Sequence, residues 1–179
     1  PEMHLKRRQI LRAALLTPVS LGLPWLNSHA GVRERNLSFH HTHTGESLSL
    51  VYHDGRDYLP DSLEYVNGYL RDFRTGESHN IDRDLLDQLY VLQQSVDSSG
   101  VFEVISAYRS PKTNAKLRNK SNGVAKKSLH MQGRAIDVRL TDVSTGNLRK
   151  AALAMKAGGV GYYKKSDFLH LDTGRFRTW

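Results

Sequence analysis

The sequence predicts an α+β domain in which a small antiparallel sheet is covered by helices on one face, and three observations carry that expectation. Ala135–Leu140 and Phe168–Asp172 alternate apolar and polar residues with the period of two that a half-buried strand needs. The stretches Leu63–Phe73 and Leu85–Val96 repeat apolar residues at three- and four-residue spacing, the mark of amphipathic helices. The chain has 179 residues and shows no shift of composition after residue 35, so it supplies one domain with a sizeable core. About five strands and about four helices account for the periodic segments.

Residues 1–30 read as a targeting segment. Lys6-Arg7-Arg8 precedes a modestly apolar run from Ala13 to Leu26, which Pro18 and Pro24 interrupt before it is long enough to span a bilayer comfortably. The Arg7-Arg8 pair resembles a twin-arginine export signal, and Ser28-His29-Ala30 puts small residues at the two positions a signal peptidase reads. The expected division is an export signal over 1–30 and a single domain over 31–179. Four cations, Lys6, Arg7, Arg8 and Arg12, leave with the signal against Glu2, so about +5 of the formal +8 stays with the mature domain. That charge suits anionic partners. The absence of cysteine fits an exported protein without disulfides, and equally many cytosolic ones.

Leu37 and Phe39, then Leu48, Leu50 and Tyr52, flank Thr44-Gly45-Glu46 and predict a hairpin that ends at the Asp54-Gly55 turn. His40, His41 and His43 lie on it as a second-choice metal site, with no carboxylate of comparable placement after them. Pro60-Asp61-Ser62 opens a helix with Leu63, Val66, Leu70 and Phe73 on one face, closed by Thr75-Gly76. A second helix starts at Asp82 and carries Leu85, Leu86, Leu89, Leu92 and Val96 inward. Phe102–Tyr108 reads as a strand that delivers Arg109 at its end. From Ser110 to Gly133 there are six cations, Lys112, Lys116, Arg118, Lys120, Lys126 and Lys127, and no acidic residue. Such a run either lines the approach to a site or forms a solvated helix and loop. It lacks interleaved aromatics and any nucleic-acid motif, so no nucleic-acid partner is expected. Ser144–Ala157 gives the last helix, stopped by Gly158-Gly159, and Val160–Tyr163 leads by a hairpin into the strand of His170. The tail is expected to tuck Phe176 and Trp179 over the sheet edge, with no chemistry assigned.

Two of these segments carry chemistry. On the first strand Asp137 faces away from Ile136, Val138 and Leu140, and His130 stands before it across a turn at Gln132-Gly133. On the second, His170 and Asp172 share a face. If the strands pair, two imidazoles and a carboxylate converge, a ligand set that suits zinc better than magnesium or calcium. Three protein ligands leave a fourth position open, which marks a catalytic site, where zinc lowers the pKa of a bound water to roughly 7. The inferred reaction class is metal-assisted hydrolysis.

Ser128-x-His130-x-x-Gly133-x-Ala135-x-Asp137, followed by His170-x-Asp172-x-Gly174 and preceded by Ser106-Ala107-Tyr108-Arg109-Ser110, resembles the zinc D,D-peptidase superfamily of cell-wall enzymes, and within it the murein endopeptidases of the MepK type. The likeness covers nearly the whole chain. It implies a D-Ala-D-Ala peptidase or hedgehog-like fold, one Zn²⁺ per chain held by His130, Asp137 and His170, and peptidoglycan peptide stems as the partner. It also implies that Arg109 binds the substrate carbonyl as it becomes an oxyanion, a kind of contact worth roughly 2.7 to 4 kcal/mol. Ser128 is expected to bond the ligand shell or the substrate.

Two carboxylates compete for the role of catalytic base. Asp172 is favoured because an i, i+2 pair on a strand needs no bulge to point the same way. Asp167 has the Asp-x-x-His spacing some superfamily members use, in which case Asp172 orients a ligand. The resemblance implies cross-link hydrolysis in the periplasm, with no stable membrane insertion once the signal is cleaved. A D-Ala to diaminopimelate bond and a diaminopimelate to diaminopimelate bond both remain open. A D,D- or L,D-carboxypeptidase and a non-catalytic wall-binding module are the rival readings.

Overall fold

A computed structural model describes residues 33–121 and 123–179, so the export signal expected over 1–30 lies outside the described residues. In chain order the strands are β1 (Arg35–His41), β2 (Ser47–His53), β3 (Phe102–Ser106), β4 (Ala135–Leu140), β5 (Gly159–Tyr163), β6 (Phe168–Asp172) and β7 (Arg177–Thr178). The helices are α1 (Pro60–Tyr69), α2 (Arg83–Ser95), α3 (Pro111–Lys120) and α4 (Thr145–Met155), with one 3₁₀ turn at Leu129–Gln132.

All seven strands join one sheet in the order β2-β1-β3-β4-β6-β5-β7. The small antiparallel sheet expected from the sequence is thereby corrected. The sheet is larger, and it is mixed, because β1 runs parallel to β3 and β5 parallel to β7. Parallel neighbours need a long crossover, which α1 and α2 supply between β1 and β3. No local periodicity announces that pairing, and β7 is too short to have a periodicity at all.

Both central strands behave as their alternation requires. Ile136, Val138, Leu169 and Leu171 are fully buried on one side of the sheet, where Leu148 and Ala152 of α4 join them in the core. Leu85, Leu86, Leu89 and Leu92 of α2 are also fully buried, each contributing about 1.5–3 kcal/mol of transfer free energy. The Asp82 carboxylate accepts the Asp84 N–H at 3.1 Å and starts this helix, and the Ser144 hydroxyl accepts the Asn147 N–H to start α4.

α1 ends earlier than its apolar spacing suggests. Leu70 is its C-cap, and Asp72 then organises a turn by accepting the Arg74 N–H on its side chain and the Thr75 and Gly76 N–H groups on its carbonyl. An Asp side chain that bonds local backbone competes with helix continuation. Phe73 therefore sits in a turn, packed against His41 and His43.

Register places the functional groups. Asp137 on β4 lies directly opposite His170 on β6, and Ala135 opposite Asp172, so all three polar side chains rise from the face turned away from Ile136 and Leu171. β3 ends at Ser106, two residues before the expected end, with a register irregularity beside Asp137. From there the chain leaves the sheet through Ala107 and Tyr108 to Arg109.

Candidate metal centre

His130 rides on the 3₁₀ turn. Ser128 caps that turn by accepting the His130 N–H at 3.4 Å, and Gly133 closes it with φ +65° while donating to the His130 carbonyl. A Cβ at Gly133 would meet the Asn80 carbonyl oxygen at 2.1 Å, so both the backbone conformation and the space demand glycine.

Three side chains meet over β4 and β6. His130 Nε2 is 3.2 Å from His170 Nδ1 and 3.4 Å from Asp137 Oδ1, and His170 Nδ1 is 2.9 Å from Asp137 Oδ1. The hydrogen bond on the far side of His130 fixes its tautomer. His130 Nδ1 lies 2.7 Å from the Ala107 carbonyl, which can only accept, so Nδ1 carries the proton and Nε2 the lone pair. His170 has a carboxylate oxygen 2.9 Å from each ring nitrogen, Asp137 Oδ1 at Nδ1 and Asp172 Oδ2 at Nε2, so a cation beside Nδ1 selects the tautomer that donates Nε2–H to Asp172. In that tautomer two imidazole lone pairs and a carboxylate oxygen face one another, an arrangement that suits a cation. With metal-ligand bonds near 2.0–2.1 Å, tetrahedral ligand atoms stand about 3.3 Å apart, close to the separations here. The residues present fit zinc. Among the described residues this is the one group of three or more His, Cys, Asp or Glu whose ligand atoms converge in this way.

The electrostatics favour positive charge among these groups, whether a proton or a metal supplies it. Burial opposes the charge on Asp137, but the charges and hydrogen bonds of His130 and His170 outweigh it and hold the carboxyl well below the usual carboxylate range. Burial likewise opposes a charged His170, and its hydrogen bonds to Asp137 and Asp172 reverse this to raise its pKa.

Asp172 does share the face of His170, and its surroundings are those of an orienting group. It is fully buried, and both its oxygens are occupied: Oδ1 accepts from the Gly159 and Gly174 N–H groups and Arg177 Nη1, Oδ2 from His170 Nε2 and Arg177 Nη2. These donors overcome its burial and keep it ionised. Asp167 is placed elsewhere. It takes φ +50° in the turn before β6 and accepts a hydrogen bond from Thr145 at the start of α4, in a hollow shared with Arg139 and separate from the metal ligands.

The pocket over the ligands holds about 450 Å³ and is lined by Arg109, Lys127, Ser128, Tyr163, Arg177 and Trp179 among others. Arg109 Nη2 is 4.0 Å from Asp137 Oδ2, Nη1 is 3.5 Å from Asn114 Oδ1, and the buried Nε has no partner. Burial lowers the pKa of this guanidinium, with Asp137 opposing the shift. A larger hollow of about 1080 Å³ beside α1 holds no convergent ligand set, so chemistry and not volume selects the site.

Of the basic run, Lys112, Lys116, Arg118 and Lys120 are exposed on α3, whereas Lys127 reaches the pocket lining. His40, His41 and His43 do not gather ligand atoms. His40 Nδ1 meets Ser47 Oγ at 3.1 Å, His41 Nδ1 accepts the His43 N–H at 3.2 Å, and the His41 and His43 rings pack on Phe73.

The tail does dock on the sheet edge as expected, although Phe176 stays exposed, and sequence reasoning missed the part it plays at the site. Trp179 stands 5.2 Å from the His170 ring and donates Nε1–H to the Tyr163 hydroxyl at 3.2 Å, while Arg177 binds Asp172. The aromatic residues in the tail signalled its docking, but nothing local says that the edge is β5, beside His170.

A sequence profile of the family described as peptidoglycan L,D-endopeptidase MepK matches residues 29–179. The proteins named peptidoglycan L,D-endopeptidase MepK from Escherichia coli K12 and from Shigella flexneri are each 46% identical to this chain over 147 residues, covering 82% of it and 81% of their own length. A probable peptidoglycan L,D-endopeptidase MepK from Haemophilus influenzae is 39% identical over 148 residues, covering 82% of this chain and 80% of its own.

Proposed function

The chain belongs to the MepK family of peptidoglycan L,D-endopeptidases, and we propose that it hydrolyses peptide cross-links of peptidoglycan with one zinc held by His130 Nε2, Asp137 Oδ1 and His170 Nδ1. One observation carries the metal reading: ligand atoms of His130, Asp137 and His170 converge within 4.8 Å of one another, while the far nitrogen of each ring has its own acceptor outside the cluster. When bound, zinc supplies Lewis-acid activation of water and of the scissile carbonyl.

The side chains divide the remaining work. Arg109 lines the pocket with its Nη2 4.0 Å from Asp137 Oδ2 and binds the oxygen of the scissile amide as negative charge develops on it. Ser128 holds the backbone of His130 and offers its hydroxyl proton to the peptide stem. Asp172 acts as a positioning residue, keeping the Nε2–H tautomer of His170 so that Nδ1 points at the metal position. Its saturation with donors supports this role over that of proton acceptor, and the engagement of Asp167 with Thr145 supports a role for that residue in the turn. In the reaction the amide C–N bond breaks, the oxygen of water stays on the carbonyl carbon, and the departing amine gains a proton.

Of the two cross-links, the diaminopimelate to diaminopimelate bond has its carbonyl on an L centre, as an L,D-endopeptidase requires, whereas a D-alanyl bond has it on a D centre. The leader read over residues 1–30 supports export by the twin-arginine route, with residues 31–179 acting as the catalytic domain in the periplasm.

Digestion of purified cross-linked muropeptide dimers by the protein and by H130A, with and without a chelator, tests the reading. Monomers are expected only with metal and intact His130, and only from diaminopimelate-linked dimers. Loss of terminal residues from surviving dimers would assign a carboxypeptidase. Unchanged dimers at full zinc occupancy would leave a wall-binding module.

A further inference from the structure

We infer that Arg177 is a positioning residue of the metal centre, which locks Asp172 in the orientation that fixes the tautomer of His170. The inference deepens the metal-centre reading and rests on it for its consequence, although the geometry stands alone.

Arg177 approaches Asp172 as a fork. Nη1 donates to Oδ1 at 3.0 Å and Nη2 to Oδ2 at 2.6 Å, a bidentate pairing that fixes the plane of the carboxylate as well as its place. The two ends of that carboxylate differ. Oδ1 keeps two backbone donors, from Gly159 and Gly174, whatever happens to Arg177. Oδ2, the oxygen that receives His170 Nε2–H, has Arg177 as its other donor. Loss of the guanidinium therefore frees the half of the carboxylate that orients the metal ligand. Arg177 is also the one Lys or Arg paired with Asp172 among the described residues.

The chain makes room for this contact. β7 docks parallel to β5 with Arg177 opposite Gly159 and Thr178 opposite Val160, extended by Tyr162 N–H to the Trp179 carbonyl at 3.0 Å. A Cβ at position 159 would stand 2.5 Å from both Arg177 Nη1 and Asp172 Oδ2, so the fork reaches the carboxylate only over a glycine. Arg177 and Trp179 are two apart on the strand and project to one side, the guanidinium 4.9 Å from the indole. The indole in turn covers His170. A half-exposed arginine on a surface carboxylate contributes little, but here the acceptor is wholly buried and its orientation is what matters.

The test compares the full chain with R177M, which keeps the aliphatic stem and the β5–β7 backbone pairing but loses every donor, and with R177K, which retains a cation. Long-range ¹H–¹⁵N spectra of the metal-free proteins, taken on the alkaline side of the His170 transition, read the tautomer of that ring. Against the competing acceptor Asp137 Oδ1 at Nδ1, wild type is expected mainly in the Nε2–H form, R177M shifted toward Nδ1–H, and R177K largely restored. Zinc affinity, measured by competition with a chromophoric chelator, is expected to fall about 10–100-fold in R177M. An R177M protein whose His170 tautomer matches wild type overturns the proposal. So does W179A if it scrambles the tautomer as fully as R177M, since docking of the strand would then suffice. If R177M fails to fold, R177Q takes its place in the comparison. A wild type that binds no zinc overturns the metal reading separately, and the tautomer comparison still decides the role of Arg177.

Discussion

His130 and His170 are useful to a metal only in the tautomers their outer hydrogen bonds impose, so the decisive residues at this scale are the ones that never touch the ion. Ala107 supplies its carbonyl to His130, and Asp172 its carboxylate to His170. Substitution of Asp172 by Asn removes an acceptor that accepts only, and lets a flipped amide donate to Nε2 instead. Zinc affinity in D172N is therefore expected to fall about 10–100-fold, measured by chelator competition. D167A, by contrast, should keep the turnover of cross-linked dimers within about threefold, because its carboxylate bonds Thr145 and is absent from the pocket lining. A larger loss in D167A would return that residue to the proton-transfer role its spacing suggests. Asp137 and His170 were legible in the sequence because strand alternation decides which way a side chain points, whereas His130 and Arg109, on a turn and beyond a strand end, were read from the family motif. What spacing could not reveal was the crowd around Asp172, because its donors come from positions 159, 174 and 177 and meet it only in the folded chain.

Among the elements, β4, β6, α2 and α4 were readable because each carries its own period and cap, whereas β7 and the end of α1 were decided by partners distant in sequence. The α1 turn has a functional consequence. Asp72 is buried, and its Oδ2 accepts both the N–H and the hydroxyl of Ser110, at 3.0 and 2.8 Å, the residue that follows Arg109 and caps α3. Burial works against its charge, yet hydrogen bonds from Thr113, Ser110 and the Arg74 backbone lower its pKa. A carboxyl depressed in the folded state stabilises above its unfolded pKa of about 3.9 and loses that contribution as the pH falls through the folded value. D72N is thus expected to be less stable than wild type by about 1.5–3 kcal/mol at neutral pH, with the gap closing below about pH 4 in urea titrations. A gap that persists unchanged in acid would remove the charge from the argument. The β5–β7 pair gives a second test. Gly161 lies opposite His170, and a Cβ there would reach the Trp179 indole at 2.6 Å. In a W25F background, G161A should expose Trp179 to acrylamide about twofold more than wild type, a modest change because the indole is already half exposed.

Across the whole molecule, the sheet order brings the two ligand strands to the middle, and the basic segment from Ser110 to Gly133 carries exposed cations on α3 before most of residues 123–130 line the site. That segment ends on His130 itself, begins beside Arg109, and contains no acidic residue. Its exposed lysines on α3 make no hydrogen bond or ion pair among the described residues, and Lys127 lines the pocket. A one-signed wall next to a cleft raises the local concentration of an anionic polymer, and peptide stems with free carboxylates are such a polymer. The attraction acts through solvent, so it shortens with the Debye length, from about 10 Å at 0.1 M salt to about 3 Å at 1 M. Hydrolysis of intact sacculi by wild type is therefore expected to lose about tenfold in kcat/KM over that range while kcat is unchanged. K112E/K116E/K120E should show the low value already at 0.1 M salt and little further dependence. Equal kcat/KM for the two proteins at low salt would mean that the wall is a solvated face and that the cleft alone recruits the substrate.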